Sequence, residues 1–516
     1  MLLDANHVRR GASLVADVCV IGAGAAGITI ARELDGAGLN VLVLESGGFN
    51  FDKATQALYK GKAVGLPLDP KVDVGLDGPR LRYFGGTTNH WAGYCRPFTA
   101  LDLQTRAYVP RSGWPMALGD LEPYYLRAQE VCGIGPYEYT VDYWRREGLI
   151  DHPLLEAATT PHAVVQITDA PRFGEVYRDD LVASKNVQLC IRANVTRLAL
   201  SADGAAVSKV DVATLSGNRF TATANVFVVA TGGLEVPRLL LASNDRRPGG
   251  IGNENDLVGR HFMEHVNIAS GVVLLATDFD GLAPYTPTPR TINHNGVSRD
   301  LSLQAVLLLA PDVLQAEGLR SCEVTIEYGF PVDDRRLENL FPGTRQGTAL
   351  VRAEGIDPGV GAVVRVLCEQ EPNPASRVTL TRARDKLGMP RIQLDWRITR
   401  DDRLSMLRTL RLVGAQVAQR GLGRLRVDID GFVDADPPAS DPLDYPVNIG
   451  CHHMGTARMH ASSRSGVVDP DCRVHSVKNL YIAGSAVFPT SGANTPTLTI
   501  VALALRLADH LKTAAT

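Results

Sequence analysis

Residues 17–45 leave few folds open. Asp17-Val18-Cys19-Val20-Ile21 has the apolar character of a buried strand, and the glycine-rich turn Gly22-Ala23-Gly24-Ala25-Ala26-Gly27 follows at once. Ile28, Ile30, Ala31 and Leu34 then recur at helical spacing until Gly36 and Gly38 break the pattern, and Val41-Leu42-Val43-Leu44 reads as a second buried strand. A strand, a helix and a strand within about 30 residues make a parallel crossover unit. In that context Gly22 permits the tight turn, Gly24 lets the backbone approach a pyrophosphate, and Gly27 lets helix pack on strand. The helix start offers unpaired N–H groups and a positive dipole end to the phosphates. Glu45, 18 residues beyond Gly27, is placed to accept from the ribose hydroxyls of an adenine dinucleotide, and its charge disfavours a 2′-phosphate. The turn by itself does not choose between NAD and FAD.

Composition narrows the function classes. A chain of 516 residues, 45% hydrophobic and 21% charged, can bury one large core or two fused ones. Its 53 basic and 56 acidic residues give a net charge of -3 without long runs, so no nucleic-acid footprint is present and a small, neutral or weakly charged substrate fits better. The eight cysteines are scattered, with no CxxC pair and no zinc-finger spacing, so neither a disulfide framework nor a metal site is expected. The first 15 residues lack the apolar centre of a secretion signal, and no apolar run reaches the roughly 18 residues of a membrane span. A cytoplasmic protein is the expectation.

Further along, Tyr83-Phe84-Gly85-Gly86-Thr87-Thr88-Asn89-His90-Trp91 is a second glycine-rich segment, and Val226-Phe227-Val228-Val229-Ala230-Thr231-Gly232-Gly233 reads as another sheet strand ending in a turn. Between about 260 and 440 the texture changes to short strand-like runs, such as Arg377–Leu380 and Ile392–Trp396, broken by Pro and Gly. This predicts an inserted antiparallel sheet covering the first domain. Asn479-Leu480-Tyr481-Ile482-Ala483-Gly484 is a buried strand again, and Leu498 to Leu511 is an apolar helix. The fold class expected is α/β: a Rossmann-like nucleotide domain (1–260 with 445–516, including a covering segment 85–150) interleaved with an α+β substrate domain on an antiparallel sheet (261–444 with part of 100–180).

Five segments in order resemble the glucose-methanol-choline (GMC) oxidoreductase family: Gly22 to Glu45, Gly85 to Trp91, Ala230-Thr231-Gly232-Gly233, Val258-Gly259-Arg260-His261-Phe262-Met263, and the C-terminal stretch. In the last, Cys451-His452-His453-Met454-Gly455-Thr456-Ala457-Arg458-Met459 is similar to the family's His-x-x-Gly-Thr block, followed by Gly484-Ser485 and Asn494-Thr495-Pro496-Thr497-Leu498-Thr499. The resemblance implies FAD and the oxidation of an alcohol. Within the family, Gly85 to Trp91, Glu371-Pro372-Asn373-Pro374-Ala375-Ser376-Arg377 and Pro496 to Thr499 look most like the pyranose oxidase and sugar dehydrogenase branch, including bacterial glycoside 3-oxidases. By analogy the substrate is a sugar or glycoside, oxidised at a secondary alcohol to the keto sugar, with oxygen or a quinone-like acceptor taking the electrons. A non-sugar alcohol oxidase or dehydrogenase is the alternative, and an FAD-binding electron-transfer subunit the third reading.

The resemblance also carries residue roles. His452, three residues before Gly455, stands where the family's base accepts the hydroxyl proton while hydride passes to flavin N5. His453 is expected to pack behind it. Asn494 or Thr495 would hold the substrate oxygen, Asn494 by its chemistry and Thr495 by counting back from Pro496, with Asn494 preferred. Gln370 would reach sugar hydroxyls. The FAD contacts implied are Gly22, Gly24, Ala25, Ala26, Gly27, Glu45 and Ser46 for the adenosine half; Gly86, Thr87, Asn89, His90, Trp91 and Ala92 over the ring; and Val195, Ala230, Gly232, Gly484, Ser485, Thr495 and Pro496 around them. The positive end of the helix starting near Thr497 would face the flavin pyrimidine. Non-covalent FAD is expected, with a covalent link at His90 as the alternative. For Arg260 and Phe262, interface packing competes with a flavin role.

Overall fold

The computed structural model describes residues 1–65, 75–151, 155, 157–169, 172–275, 280–331, 360–427, 433 and 447–514. The crossover unit forms as its apolar pattern requires. Strand β1 (Ser13–Ile21) leads into helix α1 (Ala25–Leu34), which buries Ile28, Ile30, Ala31 and Leu34, and β2 (Val41–Leu44) is buried at every position. Beyond β2 lies β3 (Val187–Ile191), and on the other side of β1 lies β4 (Arg219–Val229), all parallel. A positive φ at Gly22 turns the chain from β1 into α1, and a Cβ there would fall 2.8 Å from the Ala230 carbonyl oxygen. At Gly27 a Cβ would overlap the Gly22 carbonyl oxygen, so helix and turn touch without room for a methyl group.

The middle of the chain builds the second sheet. Its antiparallel centre is β5 (Val266–Leu275), β6 (Val297–Leu307), β7 (Cys322–Pro331) and β8 (Val360–Cys368), in the order β5-β8-β7-β6, extended by His162–Thr168 and Tyr94–Cys95 from the first third of the chain. The two strand-like runs expected here, Arg377–Leu380 and Ile392–Trp396, lie in strands Arg377–Arg384 and Pro390–Trp396, which instead form a separate three-stranded sheet with Lys62–Gly65. The chain around that small sheet is tied to residues 238 and 259: Val378 N donates to Gly259 O, and the Arg238 guanidinium pairs with Asp385. The expected domain boundary at 444/445 lies outside the described residues.

The chain then returns. Strand β9 (Leu480–Ile482) pairs in parallel with the C-terminal end of β4, and α2 (Thr497–Ala514) packs on α1 with Leu498, Val501, Leu505 and Leu511 buried. The nucleotide sheet is therefore closed by residues from the far end of the sequence. No described helix is long and apolar enough to cross a membrane.

Candidate active site

A cavity of about 900 Å³ runs from the fingerprint turn to the antiparallel sheet, near the upper end of the range for small-molecule sites. Its first end is lined by Gly22, Gly24, Ala25, Ala26, Glu45, Ser46, Val195, Ala230 and Gly232. At Gly24 a Cβ would meet nothing within 4 Å, which leaves the backbone at the start of α1 open to an incoming group. The Glu45 carboxylate is nearly buried and accepts from Ala23 N and Gly47 N, each at 2.8 Å, which fixes it at the mouth of the turn. Two further lining groups are buried without a partner, Thr231 Oγ1 and Arg82 Nε. Unsatisfied polar atoms in a cavity are expected where a polar ligand completes them, and this donor set fits an adenine dinucleotide.

The 85–92 segment covers the middle. Gly85 N donates to Ala23 O at 2.8 Å, and Gly86, Thr87, His90, Trp91 and Ala92 line the cavity above the turn. Burial and the nearby Arg172 lower the His90 pKa, favouring a neutral ring. From the C-terminal segment come Gly484, Ser485, Thr495 and Pro496, with α2 beginning behind them. The Ser485 hydroxyl donates to His453 O at 2.7 Å, tying this segment to the histidine block.

His452 lines the far end. Its Nδ1 lies 2.8 Å from Nδ1 of His265, and its backbone N–H donates to the buried carboxyl of Glu264 at 2.7 Å. Glu264 also accepts from His265 N at 2.8 Å, and its Oε2 lies 3.7 Å from His453 Nε2. Burial pushes Glu264 up to about 8, and burial lowers His265 to about 4 and His453 to about 3. His452 is also held well below the usual imidazole range, first by burial and then by the two neighbouring histidines. A neutral imidazole on a cavity wall is the state a proton acceptor requires.

Other expected site residues sit elsewhere. Asn494 is 1% exposed and donates its amide to Pro97 O at 2.6 Å, whereas its neighbour Thr495 lines the cavity with its hydroxyl donating to Tyr94 O at 2.7 Å. Of the two, Thr495 is the one that reaches the cavity. Gln370 is fully buried behind the wall: its Oε1 accepts from Glu264 N and Trp396 Nε1, and its amide donates to Arg397 O. So placed, the side chain holds the segment just before β5 that carries Glu264 and His265, and it does not line the cavity. Asn89 is likewise spent on Phe84 O and Gly174 N, and Gly27 shapes the turn from behind without reaching the cavity. Arg260 reaches Pro374 O and Asp256, and Phe262 packs edge-on against Trp396, both as interface packing.

The antiparallel sheet supplies a polar wall that the sequence did not reveal: Asn267 on β5, Gln304 on β6, Glu323 and Thr325 on β7, and Arg365 on β8. Thr325 and Arg365 are register partners, while Asn267 and Glu323 both pair with Leu367. Arg96 donates twice to Glu323 Oε2, and the buried acceptors Asn267 Oδ1 and Gln304 Oε1 have no donor. The period-2 alternation of these strands is the only local signal for this wall.

Comparison with known proteins places these features. Residues 372–504 match the GMC oxidoreductase family. Over 96% of its length the chain is 24% identical to 2-methyl-1,2-propanediol dehydrogenase of Mycolicibacterium austroafricanum, covering 95% of that protein. It is 25% identical to C-glycoside 3-oxidase of Microbacterium trichothecenolyticum over 83% of this chain and 74% of that one. The fold superposes on the crystal structure of formate oxidase with a TM-score of 0.59 at 17% identity, over 98% of this chain and 99% of the other.

Proposed function

We propose that this chain, which belongs to the GMC oxidoreductases, oxidises a secondary alcohol of a sugar or glycoside to the keto sugar with FAD as its cofactor, the electrons passing on to oxygen or a quinone-like acceptor. Bound FAD supplies the hydride acceptor. The start of α1 and Gly24 would hold its pyrophosphate and Glu45 its ribose, while the segment Gly86 to Ala92 and residues 484–496 enclose the ring. The link is proposed to be non-covalent. His452 takes the hydroxyl proton. The Thr495 hydroxyl has given its hydrogen to Tyr94 O, so its lone pairs are left to accept from a neighbouring substrate hydroxyl.

The observation that carries the reading is that one cavity joins the fingerprint turn to a half-buried imidazole held in its neutral form and to a sheet wall with unsatisfied acceptors. Asn267 Oδ1 and Gln304 Oε1 each lack a donor, and a ligand bearing several hydroxyls supplies donors that a simple alkanol does not. The name of the C-glycoside relative supports the sugar; the name of the diol relative supports the alternative, a small non-sugar alcohol.

The test is anaerobic bleaching of the purified yellow protein. D-glucose, methyl β-D-glucopyranoside and a flavonoid C-glucoside form one set of probes, with 2-methyl-1,2-propanediol and benzyl alcohol as the other. Bleaching by the first set alone supports the sugar reading; bleaching by the second alone replaces it with the alternative, and colour unchanged by every probe removes both. His452→Ala should keep the flavin yet slow its reduction roughly 10²- to 10⁴-fold. Acid precipitation should leave the flavin in solution, whereas a coloured pellet would establish a covalent link.

A further inference from the structure

We infer that His265 fixes the tautomer of His452: its Nδ1 accepts the Nδ1–H of His452, so that the lone pair of His452 is confined to Nε2. The inference rests on the reading of His452 as the base, and it assigns His265 as a positioning residue.

His265 is anchored on the side away from His452. Its Nε2 lies 2.8 Å from Gly492 O and 3.3 Å from Ser491 O, two carbonyl oxygens that can only accept. Nε2 therefore carries a hydrogen. The side chain is fully buried, and burial lowers it to about 4, so at neutral pH it holds one proton in total. Its Nδ1 is then a bare lone pair. The contact from His265 Nδ1 to His452 Nδ1 is 2.8 Å, a hydrogen-bond distance that needs one hydrogen between the two nitrogens. Only His452 can provide it. A neutral His452 that is protonated at Nδ1 has its lone pair at Nε2, and among the described residues its ring makes no hydrogen bond beyond the one to His265.

The frame around the pair keeps it in place. The rings cross nearly at right angles, at 84° with centroids 5.0 Å apart, so that one in-plane nitrogen meets the other. The carboxyl of Glu264 takes the backbone N–H of both histidines, and Gly450 N donates to His265 O. In the reaction the substrate O–H bond breaks heterolytically, its proton goes to His452 Nε2, and the Nδ1–H already present donates to His265 while the imidazolium lasts. The carbon-bound hydrogen must leave as hydride with its electron pair, and a bound flavin would be the two-electron acceptor that balances the oxidation. With the tautomer reversed, Nε2 would carry a hydrogen and could not accept.

Two measurements test this. In histidine-15N-labelled holoprotein at pH 7, the imidazole shifts of His452, assigned by loss of signal in His452→Ala, should show Nδ1 protonated and Nε2 bare; the reverse pattern overturns the inference. In kinetics, His265→Leu removes the acceptor and should bind flavin normally while its anaerobic reduction by the most active probe slows roughly 10²-fold or more, as expected for a mispositioned base. His265→Asn, whose Oδ1 can take the place of Nδ1 as acceptor, should recover most of that loss with little change in KM. A fast His265→Leu variant, or an Asn variant as slow as Leu at equal thermal stability, refutes the role of His265. If His452→Ala itself reduces at the normal rate, the reading of the base fails instead. Should His265→Leu not fold, the 15N pattern of the unsubstituted protein still decides.

Discussion

Gly450 offers a way to disturb the candidate base without altering any polar group. It lies two residues before His452, and a Cβ built on it would fall 2.8 Å from Cε1 of that imidazole and 3.0 Å from Cγ, closer still to Nδ1. Real Cβ atoms essentially never come within 3.0 Å of another heavy atom, and the nearest atom is the one bonded to His265. The ring cannot yield while keeping its hydrogen bond, because its main chain is tied to Glu264. Gly450→Ala should therefore swing the imidazole by several tenths of an ångström and lengthen the Nδ1–Nδ1 contact. Misplacing a reacting group by about 1 Å costs around 100-fold in rate, so a loss of roughly 10- to 100-fold is expected. Flavin content should stay normal, since the three atoms nearest the added methyl all belong to His452 and the backbone φ of Gly450 is not in the left-handed region. The assay is stopped-flow reduction under anaerobic conditions with the most active probe, beside a flavin-to-protein absorbance ratio and a thermal melt. Reduction at the unsubstituted rate, with the flavin ratio unchanged, would refute the claim that the position of His452 limits the reaction.

Three further outcomes are expected. Gly27→Ala puts a methyl group onto the Gly22 carbonyl oxygen and should lower the flavin-to-protein ratio severely; a variant isolated with full colour would contradict the turn geometry. Thr495→Val should raise KM or slow reduction severalfold, whereas Asn494→Ala should mainly cost stability, roughly 1–3 kcal/mol for the buried hydrogen bond lost at Pro97 O, read as a lower melting temperature; the opposite pattern would restore Asn494 to the site. Glu264 has its folded pKa raised to about 8, so the native state keeps a proton there that the unfolded chain gives up near 4.5, and stability from this group is present at low pH and lost as pH rises through that window. Glu264→Gln should gain on the unsubstituted protein in melts from pH 5 to 8, by at most about 1.4 kcal/mol per pH unit, and a pH-independent difference would remove the argument.

How much of this was legible beforehand depends on how local each signal is. The strand, turn and helix at residues 17–45 are written in consecutive residues, since apolar periodicity and a glycine turn need no distant partner. The block around His452 was legible by resemblance. His265 was not, because it meets His452 only through β5 and the loop before Met454, 187 residues apart, and the matched segment Val258 to Met263 stops just short of it. Gln370 and Asn494 show the other limit. Both carry suitable chemistry, and both are consumed by backbone groups that sequence cannot place beside them, Glu264 N in one case and Pro97 O in the other. Counting back from Pro496 points to Thr495, and of the two it is Thr495 that lines the cavity. The two strands assigned to the wrong sheet were recognised as strands by their pattern, but pairing with Lys62–Gly65 is a contact across more than 300 residues.

The return of β9 to the edge of β4 sets an order on the protein's making. As the chain leaves the ribosome, β1 to β4 and the fingerprint turn are complete roughly halfway through synthesis, yet their sheet still lacks β9, and α1 lacks the cover of α2. The apolar edge of β4 and one face of α1 must wait for the last 37 of the 516 residues, while the whole antiparallel sheet is translated in between. Such waiting surfaces are where nascent chains aggregate or recruit chaperones. Flavin capture is then a late event, following release of the C-terminal segment, and a nascent chain stalled before residue 480 should emerge colourless and sticky.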